Sequence, residues 1–161
     1  MDTHTCCFIG HRTINVTAEL RTELTATIEK LITDEKVDTF LFGSQSEFDR
    51  LCLELVTEIK EKYPHVKRIY VRAEYPLINE DYLNYLLKFY DETDYPEKLL
   101  GAGRAAYVER NCHMIERSRF CIIYYDEQSA PTTRKSGTKI ALDFAIKKGR
   151  VILPFPHTKD R

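Results

Sequence analysis

Short apolar runs alternate with amphipathic stretches along almost the whole chain. Thr5–Ile9, Asp38–Phe42, Val66–Arg72, Arg119–Tyr125 and Arg150–Leu153 read as buried strands, each bounded by polar or turn-forming residues. Between them the apolar spacing changes to that of a helix. Thr17–Thr33 repeats Leu20, Leu24, Ile28 and Leu31 on one face, and Ser46–Tyr63 repeats Phe48, Leu51, Cys52, Leu55, Val56 and Ile59. Asp81–Tyr90 is apolar on two faces, Leu83, Leu86, Leu87 and Tyr90 on one and Tyr82, Tyr85 and Phe89 on the other. A helix of that kind needs two partners, such as the sheet and another subunit. Asp91–Gly103 reads as a turn-rich loop. Arg104–Arg117 is expected to be a helix with Val108, Cys112 and Ile115 inward. Lys139–Lys148 is the last helix, with Gly149 as its C-cap.

Strands that alternate with helices pair in parallel and carry helices on both faces. The expected fold class is therefore α/β, a doubly wound, mostly parallel sheet of five strands. Ligands of such sheets bind outside the C-terminal strand ends, where the strand order reverses. The loops after Ile9, Phe42, Arg72 and Tyr125 thus become the places to look.

Composition narrows the class. The 161 residues are 43% hydrophobic and 30% charged, with a net charge of −1. That suits one domain over 1–161, with 154–161 as a loose tail. Near-neutral charge argues against a large nucleic-acid face. No apolar run reaches the roughly 20 residues that span a bilayer, and the first residues do not read as a signal peptide, so a cytoplasmic protein is expected. The five cysteines form no C-x-x-C pair and read as buried free thiols. The five histidines are scattered, so neither a metal nor a cofactor is called for.

Four polar clusters fall on the loops that matter. Gly10-His11-Arg12 leaves the first strand, where glycine permits a tight turn and Arg12 can hold a phosphate through two parallel hydrogen bonds. Gly43-Ser44-Gln45-Ser46-Glu47-Phe48-Asp49 leaves the second strand. Ser44 with Glu47, or Ser46 with Asp49, matches a capping box, while Glu47 or Asp49 could instead meet ribose or act as acid, base or nucleophile. Arg104, Tyr107 and Asn111 recur at helical spacing beside Arg110, as a solvated stripe or as a phosphate and sugar contact. Ser136-Gly137-Thr138 opens the last helix, preceded by Arg134 and Lys135. Its unpaired N–H groups serve equally an N-cap and a bound anion.

Several of these pieces together resemble one family. Cys7-Phe8-Ile9-Gly10-His11-Arg12 is similar to the first-strand motif of YpsA-like proteins in the SLOG superfamily, named for the Smf/DprA and LOG proteins. The similarity continues through Phe40–Leu51, Tyr90–Pro96, Arg110-Asn111-x-x-Met114-Ile115-x-x-Ser118 and Gly137-Thr138-x-x-Ala141-x-x-x-Ala145-x-x-x-Gly149. The resemblance implies a Rossmann-like fold, a nucleotide-derived ligand at the strand ends, and a homodimer. Two departures stand out. Relatives often carry paired glycines after the second strand, where this chain has Gly43-Ser44. LOG enzymes cleave a base from a nucleoside monophosphate and have a catalytic Glu where this chain has Ala141, whose methyl group can neither stabilise charge nor take a proton.

The expected function is binding of a nucleotide or ADP-ribose-like ligand, as a sensor or binding module. Gly10, His11, Arg12, Gly43, Ser44, Glu47, Arg110, Asn111, Ser136, Gly137 and Thr138 are the candidate ligand contacts. One alternative is an enzyme cleaving or transferring an N-glycosidic bond, with Glu47 or Asp49 catalytic. Another is an adaptor that docks a protein through the Tyr82–Tyr90 aromatics.

Overall fold

A computed structural model describes residues 1–129 and 136–157. Six strands form one wholly parallel sheet: β1 (Asp2–Gly10), β2 (Thr39–Phe42), β3 (Lys67–Val71), β4 (Glu92–Asp94), β5 (Ser118–Tyr124) and β6 (Val151–Phe155), in the order β4-β3-β2-β1-β5-β6. Strands β1 to β4 step outward in one direction. The chain then returns to lay β5 on the other side of β1, so the order reverses between these two. Gly10 and Tyr124 are register partners at that switch point.

Alternation along the central strands divides the core into two layers. Cys6 and Phe8 of β1, Phe40 and Phe42 of β2, and Phe120, Ile122 and Tyr124 of β5 face helices α1 (Ala18–Asp34) and α2 (Glu47–Lys60). Phe8 stacks on Phe40 and Phe42 at centroid distances of 5.7 and 5.0 Å. Cys7, Ile9, Leu41, Cys121 and Ile123 face the opposite way, against Met114 and Ile115 of α4 (Ala106–Arg117) and Ala141 and Ala145 of α5 (Gly137–Lys147). Thr17, Ser46 and Ser136 cap α1, α2 and α5, each accepting a hydrogen bond from the N–H three residues on.

The doubly wound α/β class holds, with four local corrections. A sixth strand, β4, lies in the stretch expected to be loop. It is a short polar edge strand that carries no apolar alternation, and it is held by Arg72 N–H donating to the Asp94 carbonyl at 2.7 Å and Thr93 Oγ1 donating to the Tyr70 carbonyl at 2.9 Å. Helix α3 (Glu80–Leu86) ends earlier than the apolar pattern predicts. The next residues tighten into turns so that the Tyr90 ring stacks on Tyr70 at 5.0 Å, and Asp91 meets Arg68. The inward face of α4 is Arg110, Met114 and Ile115, with Val108 and Cys112 only half-buried. Finally, β6 continues through Phe155, whose ring is buried, into the segment read as tail. Residues 158–161 of that segment lie outside the described residues.

Candidate functional site

The turn after β1 is built by packing. A Cβ placed on Gly10 would sit 2.3 Å from a ring carbon of Phe48, so this position accepts glycine alone without repacking. His11 then turns across the switch point. Its Nε2 accepts the Asp126 backbone N–H at 2.8 Å, and its ring lies 5.9 Å from that of Tyr124 and 5.4 Å from that of Tyr125. An accepting Nε2 puts the imidazole proton on Nδ1. Burial holds the His11 pKa below its usual 6.5, opposed by the nearby Asp126 charge. Arg12 is exposed, and its guanidinium makes no hydrogen bond or ion pair with any described residue.

The second turn is braced to the first. The Arg12 carbonyl accepts from Glu47 N–H at 2.8 Å, and Glu47 Oε2 accepts from Ile14 N–H at 2.9 Å. Asp49 has a different role. Its Oδ2 accepts from the N–H groups of Gly43 at 3.2 Å and Ser44 at 2.9 Å, and its own N–H donates to Ser46 Oγ at 3.1 Å. Asp49 is only 3% exposed. Burial pushes its carboxyl pKa up, against the opposing pull of the Ser44 and Gly43 N–H groups and of Arg110. The two N–H groups that a phosphate would use at this turn are thus already occupied by a carboxylate from the first turn of α2.

Arg110 lies across that loop. It is 5% exposed, and a Cβ at Gly43 would fall 2.7 Å from its Nε and 2.6 Å from Met114 Sδ. Gly43 is the trough in which both side chains rest. Arg110 Nε donates to Asn111 Oδ1 at 3.3 Å, and its guanidinium sits 5.5 Å from the Tyr107 ring centroid. Tyr107 in turn donates its hydroxyl to Glu74 Oε1 at 2.6 Å. Burial lowers the Arg110 pKa while Asp49 raises it, and a guanidinium stays charged throughout. Beside it a cavity of about 20 Å³ is lined by Tyr70, Arg72, Ala73, Glu74, Tyr75, Tyr82 and Arg110. A water needs about that much room, and a nucleotide needs far more.

The start of α5 reaches the same rim. Lys139 Nζ lies 5.6 Å from the centroid of the Tyr125 ring, the ring that also packs on His11. Ser136 Oγ is occupied in capping Lys139 N–H at 3.1 Å. Thr138 and Ala141 are buried, and a Cβ on Gly137 would meet no atom within 4 Å. Arg134 and Lys135, read as companions of this turn, lie outside the described residues.

The sequence-derived residues therefore gather at one rim but as two groups. His11, Arg12, Glu47 and the α5 start surround the switch point. Gly43, Asp49 and Arg110 form a buried knot over β2, flanked by the half-buried Ser44 and Asn111. Arg72, Glu74, Tyr70 and Tyr82, which line the Arg110 cavity, are not among the ligand contacts expected from sequence, where Tyr82 is read only as part of an aromatic docking face. Their one available signal was the position of Arg72 at a strand's C-terminal end. Among the described residues no group of three His, Cys, Asp or Glu side chains is arranged to hold a metal ion, and the five cysteines are free. No helix among them is long and apolar enough to cross a membrane.

A doubly wound sheet with charged turns at its switch point defines a broad class of α/β proteins. Within it, residues 11–153 match the family model described as the YspA SLOG family (YpsA), so this chain belongs to that family. The match begins at His11, after the strand that carries Cys7-Phe8-Ile9-Gly10. No curated protein gives a significant match.

Proposed function

We propose that this protein binds a nucleotide or ADP-ribose-like ligand at the β1–β5 switch point, as a sensor or binding module. The observation that carries this reading is Arg12. It is an exposed guanidinium without a partner among the described residues, held at the reversal of strand order by the flanking His11–Asp126 and Arg12–Glu47 hydrogen bonds. The capped start of α5 adds the positive end of a helix dipole beside the same turn. Arg110, clamped over Gly43, supports the rim from behind, and its charge reaches a ligand only if the Tyr107–Glu74 contact opens.

Cytoplasmic residence and a homodimer belong to the same reading. Leu77, 90% exposed, and Leu87 provide apolar surface for a second copy. Glycosidic cleavage has less support. Asp49 is committed to its own loop, Ala141 is buried, and only Glu47 offers an exposed carboxylate.

Thermal-shift titration with AMP, ADP-ribose and cyclic dinucleotides tests the reading. A true ligand at about 100 times its dissociation constant adds roughly 2.7 kcal/mol. Arg12→Ala, which removes an exposed side chain, should leave the unliganded melting temperature unchanged and abolish the shift. Absence of a shift with every compound, or a shift that survives Arg12→Ala, overturns the proposal.

A further inference from the structure

An aromatic-walled cavity lies outside the β1–β5 switch point, with Gln45 of the turn after β2 in its lining. It is a groove of about 480 Å³ between α2 and α3, within the size range of small-molecule sites. Leu53 of α2 and the buried Leu86 and Tyr90 give it apolar surface. Tyr85 and Phe89 form an exposed aromatic wall, their rings set edge to face at 5.4 Å.

The charges around the groove are unequal in their pairing. Arg21 holds Glu54 at 3.0 Å and reaches Glu58 at 3.9 Å, and Arg68 is tied to Asp91 at 3.1 Å and to Thr57 at 3.1 Å. Arg50 on one wall and Lys88 on the other make no side-chain hydrogen bond or ion pair with any described residue. The cavity thus combines flat apolar surface with two unpaired cations, while its two lining carboxylates, Glu54 and Glu58, share Arg21. Its complement is a planar ligand that carries negative charge.

We infer that the α2–α3 groove is a binding site for a small aromatic anion, separate from the switch-point rim. The ring system lies against Tyr85 and Phe89, and the anionic group pairs with Arg50 and Lys88. The inference does not depend on the ligand proposed for the rim.

The probe is 8-anilinonaphthalene-1-sulfonate, with the uncharged N-phenyl-1-naphthylamine as its partner compound. Fluorescence titration of the full chain should give one site per chain. The sulfonate should bind at least about tenfold more tightly than the neutral compound and weaken in about 0.5 M salt. The Arg50→Ala/Lys88→Ala double variant should lose about tenfold in sulfonate affinity with an unchanged melting temperature, Phe89→Ala should weaken both compounds, and Arg12→Ala should change neither. Equal affinity for the two compounds overturns the inference, as does sulfonate binding that survives the double variant. So does a dimer, seen by sedimentation, that Phe89→Asp dissociates and whose intact form excludes the probe, because a second copy then fills the groove.

Discussion

Arg110 Nε would lie 2.7 Å from a Cβ placed on Gly43. The glycine after the second strand therefore makes room for an arginine, whose charge acts at a distance on Asp49, the carboxylate that ties down the N–H groups of Gly43 and Ser44. One missing methyl group lets a buried cation rest over the turn that the Asp49 carboxylate holds.

Gly43→Ala should consequently destabilise the fold by about 1–3 kcal/mol, because neither the Met114 sulfur nor the Arg110 stem can withdraw without breaking the packing of α4. Gly137→Ala should do the opposite, adding up to about 1 kcal/mol, since its Cβ enters open space at the first turn of a helix. Chemical denaturation of the two variants checks the contrast. Equal effects would mean that Gly43 is not a packing glycine.

Asp49→Asn keeps the shape of the side chain but removes the charge facing Arg110 and turns one acceptor oxygen into an amide nitrogen. Hydrogen bonds to a charged acceptor such as this carboxylate are typically worth about 1.5–3 kcal/mol, and the lost attraction of Arg110 adds to that cost. The variant should melt well below the parent, and a second change, Arg110→Met, should recover part of the loss. A double-mutant cycle that shows strict additivity would exclude coupling of the two residues.

His11 gives the protein a pH dependence. Its folded pKa lies below the ordinary 6.5, so the unfolded chain binds the proton more readily. The His11 contribution is fully present above about pH 6.5 and is lost as pH falls through the depressed folded value, when Nε2 can no longer accept from Asp126 N–H. Denaturation midpoints of the parent minus those of His11→Phe should therefore decline on acidification from pH 7.5. A difference independent of pH would show that the His11–Asp126 hydrogen bond has no energetic role.

The Tyr107–Glu74 hydrogen bond bridges the Arg110 cavity on an exposed surface. Tyr107→Phe removes that hydroxyl and leaves the ring over the guanidinium. The expected loss of stability is about 0.5–1.5 kcal/mol, together with faster amide hydrogen exchange across residues 72–78. Unchanged exchange there would mean that the loop is held by the Arg72 contacts with Tyr75, Pro76 and Thr93 alone.

Much of this architecture was written locally. Thr17, Ser46 and Ser136 stand where the N-caps are. Phe48 to Ile59 repeats with the period of the buried face of α2, and the strand centres Cys6–Ile9, Phe40–Phe42 and Phe120–Tyr124 lack charge because parallel strands are covered on both sides. The family was legible for the same reason, since its motifs are the turns joining those elements. The short polar β4 was not legible, because an edge strand held by Thr93 and the Asp94 carbonyl leaves no apolar rhythm.

The sequence by itself determined the alternation, the caps, the sheet class and the membership of the YpsA-like SLOG family. Only the tertiary structure decided the work of individual polar residues. Periodicity set Arg110 on a helix, but its burial depends on the void above Gly43, 67 positions away in the chain. Spacing allowed Asp49 to cap or to catalyse, and the N–H groups of Gly43 and Ser44 settled which partners its oxygens have. The pairing of a charge is a property of three-dimensional neighbours, whereas helical and strand periods are properties of the chain alone.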